Sequence, residues 1–328
     1  MITLALQGGG MLGLGQTVAL AELERRIKTK SGDLFTYIAG TSVGSIIGAG
    51  LATGVPASEV LNFFTQDAGN IFSGSILNTI SQLWGSKYST TNLELSLQKM
   101  LGDKTLADCK TKFLSTAFDT VTGRNVLFKS YEKSSVSGDG TVTIGYDDPI
   151  KLWQVCRASS AAQTYFPGYQ YKGMVLIDGG NIGDNAPDIL LYSELTLEEK
   201  ALAYMLSIGS GNTKWTISPT GMLNPCVLMA AIRTITIVFA GGETNSTYLA
   251  SRNLGDKYLR LEADLGQGFA IDDASKKTQD AMTQIWHAYI TGPGKPILDK
   301  IIDLRYRAML VHSPVPNPTL KRAKRQPK

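Results

Sequence analysis

The stretch Phe35-Thr36-Tyr37-Ile38-Ala39-Gly40-Thr41-Ser42-Val43-Gly44 decides how this chain folds. Phe35–Ala39 reads as a short buried strand, and it runs straight into a G-x-S-x-G turn. Ser45 to Thr53 continues as an apolar, small-residue helix. A turn this sharp needs small flanking residues, here Gly40 and Gly44. It lifts a serine hydroxyl to a helix N-terminus, where the helix dipole favours developing negative charge. Ser42 is therefore a candidate nucleophile; the plain alternative is a helix start with Ser42 as its cap.

Upstream, Ile2–Leu6 is another short apolar run, followed by Gly8-Gly9-Gly10-Met11-Leu12-Gly13. Val18, Leu20, Leu23 and Ile27 then recur at helical spacing, with Glu22, Glu24, Arg25 and Arg26 mostly on the other side. Strand–helix–strand–helix at this spacing implies a parallel sheet covered by helices. The glycine run has two functional readings. As a G-x-G-x-x-G fingerprint it seats a dinucleotide pyrophosphate on the helix N-terminus, with Ser42 a mere cap. That needs an acid ending the second strand, and Asp33 precedes Phe35–Ala39 instead. As an oxyanion hole, successive glycines expose backbone N–H groups with no side chain in the way. The Ser42 elbow favours the second reading.

Downstream, residues 56–110 read as helical, and Phe113–Asp119 and Asn125–Phe128 as strands around Thr122-Gly123. Thr141–Ile144 reads as a strand and Trp153–Ala162 as a helix. Met174–Ile177 is a short strand that ends at Asp178-Gly179-Gly180, and Ala203–Ile208 is another, ending at Gly209-Ser210-Gly211. Residues 222–240 and 274–291 read as helices. Ligands of open parallel sheets bind outside the carboxyl ends of the strands, so loops that follow several strands can converge there. Asp178 can then take the proton of Ser42 directly as a general base. On its motif alone it is equally a turn cap.

Composition narrows the chemistry. The chain has 328 residues, three Cys and two His. Cys109, Cys156 and Cys226 make no CxxC pair and no disulfide framework. A Ser-His-Asp triad has only His287 and His312 to draw on. His287 lies among Ile285, Trp286 and Tyr289 and reads as a packed helical residue; His312 adjoins the tail. The net charge of +4 is held by the last eight residues, which carry Lys321, Arg322, Lys324, Arg325 and Lys328. Without them the body is near neutral, which argues against nucleic acid as a partner. The start of the chain lacks the basic lead of a signal peptide, and no segment reads as a membrane span, so a cytoplasmic address is expected.

Taken together these residues resemble the patatin-like phospholipase family. That family combines a glycine-rich oxyanion loop, a G-x-S-x-G serine and a later D-G-G/A aspartate in a Ser-Asp dyad without His. The three motifs occur here in the right order: Gly8–Gly13, Gly40–Gly44 and Asp178–Gly180. Arg157–Ala162 with Tyr165-Phe166-Pro167, Phe118-Asp119 to Gly123-Arg124, Asn185-Ala186-Pro187 and Leu206–Gly211 are similar to further family segments. Two positions depart from the pattern: Leu12, where the family often has Arg or Lys, and Gln7, where an acid is common.

The resemblance implies an α/β fold of three layers, with a central, mostly parallel sheet covered by helices on both faces. It implies one catalytic domain over residues 1–312, with 313–328 a Pro-containing, basic, disordered tail. It implies a lipid acyl hydrolase of phospholipase A type, with Ser42 as nucleophile and Asp178 as base. The amides of Gly8, Gly9, Gly10 and Val43 form its oxyanion hole, supported by Gly13, Gly40, Gly44, Gly179 and Gly180. No metal or organic cofactor is implied. The partner is membrane phospholipid, met peripherally at the inner membrane face, and a homo-oligomer is compatible with this reading. The chain also resembles patatin-like effectors of anti-phage signalling, which implies a cyclic-nucleotide activator. Ile76, Leu77, Ile80, Leu83 and Trp84 share one helical face, and with Met222–Ala240 they are candidate interfacial segments; a core-facing stripe is the plain alternative.

Overall fold

Alternation along the short strands sets the layers. Leu4 and Leu6 join one buried cluster and Ala5 the other; Ile38 joins the first, Tyr37 and Ala39 the second. Leu206 and Ile208 against Met205 repeat the pattern. Successive side chains of a strand point to opposite faces, so the sheet carries core on both sides. The computed structural model describes residues 1–71, 90–163, 165–212, 227–266 and 268–312. The basic tail, the Ile76–Trp84 stripe and the start of the Met222–Ala240 segment lie outside the described residues.

Ten strands form one sheet: β1 Ile2–Leu6, β2 Tyr37–Gly40, β3 Lys112–Asp119, β4 Arg124–Lys129, β5 Ser135–Val136, β6 Val142–Ile144, β7 Tyr169–Tyr171, β8 Met174–Asp178, β9 Tyr204–Ile208 and β10 Tyr258–Leu261. Its main order is β10-β9-β1-β2-β3-β4-β6-β5, and β8 joins β3 and β7 off this path. The pairings from β10 through β9, β1 and β2 to β3 are all parallel. The larger core packs α1 (Gly13–Ile27), α3 (Val43–Ala52) and α6 (Leu152–Ser159) on one face. It also takes in α4 (Ala57–Asn62), α5 (Thr90–Leu101), α10 (Lys276–Thr291) and α11 (Lys295–His312). The smaller core takes Leu191 of α7 (Asp188–Glu194) and Leu254 of α9 (Val227–Leu254) on the other face. Two short helices, α2 (Ser31–Leu34) and α8 (Leu197–Leu202), complete the set used below. The fold is thus α/β in three layers around a mostly parallel sheet.

One expectation is corrected, and the correction explains how the site is assembled. The strand that ends at Asp178 runs against the parallel strands β10, β9, β1, β2 and β3: β8 pairs antiparallel with β3. Along β3, Ser115 pairs with Gly40 at the end of β2, and Ala117 pairs with Asp178 at the end of β8. Since β4 fills the other side of β3, β2 and β8 share one edge and meet with their C-termini facing. Two residues along a strand span about 7 Å. The long strand β3 therefore brings the Ser42 turn and the Asp178 turn together head-on.

Among the described residues no helix is long and apolar enough to cross a membrane, and no cluster of His, Cys, Asp or Glu could hold a metal ion.

Candidate active site

The turn after β2 is strained at its serine. Ser42 has φ 55° and ψ −123°, a conformation that side chains other than glycine rarely adopt. Holding it costs about 1–3 kcal/mol, which the surrounding packing has to offset. That packing leaves no room for side chains beside the serine. A Cβ on Gly40 would lie 2.1 Å from the Gly44 carbonyl oxygen, and one on Gly44 would lie 2.2 Å from that of Leu6. The Ser42 amide donates to Ser159 Oγ at 2.9 Å, and the Thr41 hydroxyl donates to the Asp184 carbonyl at 2.6 Å. The side chain of Ser42 is nearly buried and lines a pocket.

The glycine loop lies across that pocket. The Gly8 amide donates to the Asn185 carbonyl at 2.8 Å, so it is not free to bind an oxyanion; this corrects the expectation for Gly8. Its role is structural: the Gly8 carbonyl accepts from Ser210 Oγ at 2.5 Å, and a Cβ there would strike Asn185 Oδ1. Met11 is anchored in turn, its amide donating to the Ile271 carbonyl at 2.7 Å. Between these two anchors the amides of Gly9 and Gly10 take no partner among the described residues, and neither does that of Val43. Gly9, Gly10 and Val43 all line the same pocket as Ser42. Gly13 packs directly on Val43, where a Cβ would come within 2.7 Å of the valine methyl.

Asp178 is fully buried at the far side of Ser42. One carboxylate oxygen accepts from the Gly180 amide at 2.8 Å; the other, Oδ2, has no partner among the described residues. Burial pushes its pKa up to about 7, against a smaller downward pull from the Ser42 hydroxyl and the Gly180 amide. The hydroxyl is thus near enough to act on the carboxylate without completing a hydrogen bond to Oδ2, the loose arrangement usual before substrate arrives. Gly179 sits on Thr116 and Gly180 under Phe239 of α9, so the turn is clamped from both sides.

The pocket encloses about 290 Å³. Phe63, Phe64, Ile71, Leu93 and Phe166 give it an apolar end, suited to a hydrocarbon chain. Gln7, Ser210 and Glu243 give it a polar end beside the glycine loop, and Leu12 also lines it. The geometry brings together Ser42, Asp178, Gly9, Gly10 and Val43. It leaves His287 out: that residue is exposed on α10 and does not pack, because the buried stripe runs through Met282, Trp286 and Ile290. The dinucleotide reading loses its acid, since β2 ends in Gly40 and Asp33 sits in the short helix α2 before it.

Several contributors lie outside the three glycine motifs. Ser159, within the segment Arg157–Ala162, supports the Ser42 amide with its hydroxyl. Asn185 supplies the carbonyl that takes up Gly8. Glu243 and Arg260 belong to no motif and reach the site only through the tertiary fold.

The chain is similar to known proteins. The family model for patatin-like phospholipases matches residues 4–190. A protein named cGAMP-activated phospholipase from Escherichia coli is 31% identical over 236 residues, covering 66% of this chain and 64% of that protein. One of the same name from Pseudomonas aeruginosa is 28% identical over 265 residues, covering 79% and 77%. Patatin-like protein 1 of Oryza sativa is 29% identical over 254 residues, covering 64% and 58%. With a family model spanning more than half its length, the chain belongs to the patatin-like phospholipase family.

Proposed function

We propose that the protein is a lipid acyl hydrolase that cleaves membrane phospholipid esters through Ser42 and Asp178. The observation that carries this is the strained Ser42, set in one pocket between a buried carboxylate and three amides, with one carboxylate oxygen and all three amides unpartnered among the described residues. Ser42 Oγ attacks the ester carbonyl carbon while its proton passes to Asp178 Oδ2. The amides of Gly9, Gly10 and Val43 hold the oxyanion; each such donor is typically worth about 10²–10³ in rate. The protonated Asp178 then gives its proton to the departing alcohol oxygen, leaving an acyl-serine. Asp178 next takes a proton from water, whose oxygen attacks the acyl carbon, and the fatty acid leaves as Ser42 regains its hydrogen. A carboxyl poised at about 7 suits both the base and the acid half of this cycle.

The relatives named cGAMP-activated phospholipases support a further part of the reading, that a cyclic dinucleotide switches the enzyme on. A phospholipase in the cytoplasm, working on the inner membrane face, needs such restraint. One experiment tests both parts. A fluorophosphonate probe and phospholipid vesicles are each offered to the purified protein and to Ser42→Ala, with and without cGAMP. Labelling and fatty-acid release that depend on Ser42 are expected, and cGAMP is expected to raise both. Equal release from Ser42→Ala would overturn the hydrolase reading; Ser42-dependent release indifferent to cGAMP would overturn the activation alone.

A further inference from the structure

Beside the polar end of the pocket lies a half-buried charged cluster that the reaction above does not use. Arg260 on β10 is its hub. Its Nη2 donates to Gln7 Oε1 at 2.6 Å and to Glu243 Oε1 at 3.0 Å, and also meets Glu262 Oε2. Its Nη1 donates to Ser207 Oγ at 2.7 Å. Gln7 Nε2 completes the ring by donating to Glu243 Oε2 at 2.7 Å. Glu262 turns its other oxygen to the Gly211 amide at 2.5 Å.

Hydrogen-bond capacity explains why position 7 is a glutamine. A guanidinium only donates and a carboxylate only accepts. A side chain lying between them has to accept from one and donate to the other, which an amide does. An acid at position 7 would set three carboxylates around one guanidinium, with a like charge facing Glu243.

Gln7 is also the residue that leads into the glycine loop. Its amide donates to the Ile208 carbonyl at 3.2 Å, and its carbonyl accepts from Gln16 Nε2 at 2.8 Å. Glu243 comes from the long helix α9, which packs on the other catalytic turn as well. Phe239 covers Gly180, and Gly242 sits on Gly183, where a Cβ would lie 2.0 Å from the carbonyl oxygen. One helix thus touches the loop bearing the oxyanion amides and the turn bearing Asp178.

We propose that Gln7, Glu243 and Arg260 are positioning residues that lock the glycine loop to α9, aiming the Gly9 and Gly10 amides at the reacting oxygen. The proposal rests on the acyl-hydrolase reading for its kinetic consequence, though not for its structural one. A displacement of about 1 Å at such donors can cost on the order of 10² in rate.

The test uses the full chain in four forms: wild type, Glu243→Ala, Gln7→Glu, and the exchanged pair Gln7→Glu/Glu243→Gln. The pair keeps the charge count and the ring of hydrogen bonds with the two roles swapped. Two quantities are read: hydrogen exchange of the peptide spanning residues 7–12, and kcat and KM on a soluble short-chain ester. Each single variant is expected to exchange about tenfold faster in that peptide, an extra local opening. Each is expected to lose about 10² in kcat, with KM within about threefold. The exchanged pair is expected to recover most of both. Singles that leave loop exchange at the wild-type rate would overturn the proposal. So would an exchanged pair no better than the singles. If the wild type shows no Ser42-dependent turnover with or without cGAMP, the hydrolase reading fails, and loop exchange in the same four proteins still decides the lock.

Discussion

Replacing Asp178 by Asn should make the protein more stable above neutral pH and have much less benefit in acid. Asp178 is fully buried, and its folded pKa of about 7 stands roughly three units above the ordinary 3.8 that applies once the chain unfolds. Each unit is worth 1.36 kcal/mol, so the full linkage is on the order of 4 kcal/mol. The sign follows from the raised value. Below pH 3.8 both states hold the proton, and the favourable contribution is complete. As pH rises through about 7 it is lost, because the folded state binds a proton that the unfolded state has released. Asn keeps an oxygen for the Gly180 amide and cannot ionise. Urea unfolding of wild type and Asp178→Asn from pH 4.5 to 8.5 isolates this group, since other titrations cancel in the difference. The difference in ΔG should grow with pH by about 3 kcal/mol in favour of Asn, with the steepest change below pH 7. A difference that stays flat would show that the carboxylate is not desolvated as its burial implies. One that runs the other way would show that the ionised form is the stabilised one, and the general-base poise derived from burial would fall with it.

Four further outcomes are expected. The kcat/KM for a soluble ester should rise with pH as a single-proton limb centred near 7, since Asp178 has to be ionised to accept the Ser42 proton; a pH–rate profile checks it. That limb should stay in place in Glu243→Gln, although Glu243 is also pushed up to about 7 by burial; a limb that vanishes there would assign it to Glu243. Ser42→Gly should abolish probe labelling yet raise stability by about 1 kcal/mol, strain relief of roughly 1–3 offset by the greater entropy of an unfolded glycine; thermal unfolding measures it. Gly40→Ala should lose about 3 kcal/mol or more, because its methyl would overlap the Gly44 backbone, which cannot swing away as a side-chain tip can; urea unfolding or soluble yield reports it.

What was legible beforehand divides by how far along the chain its cause lies. The Gly40–Gly44 elbow is local at its first glycine, which the backbone of Gly44 and Ser45 requires, so its letters suggest it; Gly44 is required by Leu6 and Gln7 at the end of β1. The layers were legible for the same reason, since alternation and helical spacing are local periods. The direction of β8 was not, because a five-residue apolar strand reads the same whichever way it pairs. The expected meeting of Ser42 and Asp178 therefore comes about by a different route, two strand ends facing across β3 and not three parallel ends side by side. Gly8 shows the converse. A glycine motif announces exposed amides, but which of them stays unpartnered depends on Asn185, whose carbonyl arrives from a distant loop. His287 was misplaced for a simpler reason. Its apolar neighbours in sequence suggested packing, whereas Met282, Trp286 and Ile290, four apart, define the buried stripe and leave the next residue about 100° away, in solvent. Gln7 is the most telling position. Read alone it is a departure from a family pattern with no visible cause. Its cause lies in Glu243 and Arg260, more than two hundred residues on. Because an amide both donates and accepts, Gln7 satisfies the acceptor-only Glu243 and the donor-only Arg260 at once, a fit that no local reading of the letters beside the glycines could supply.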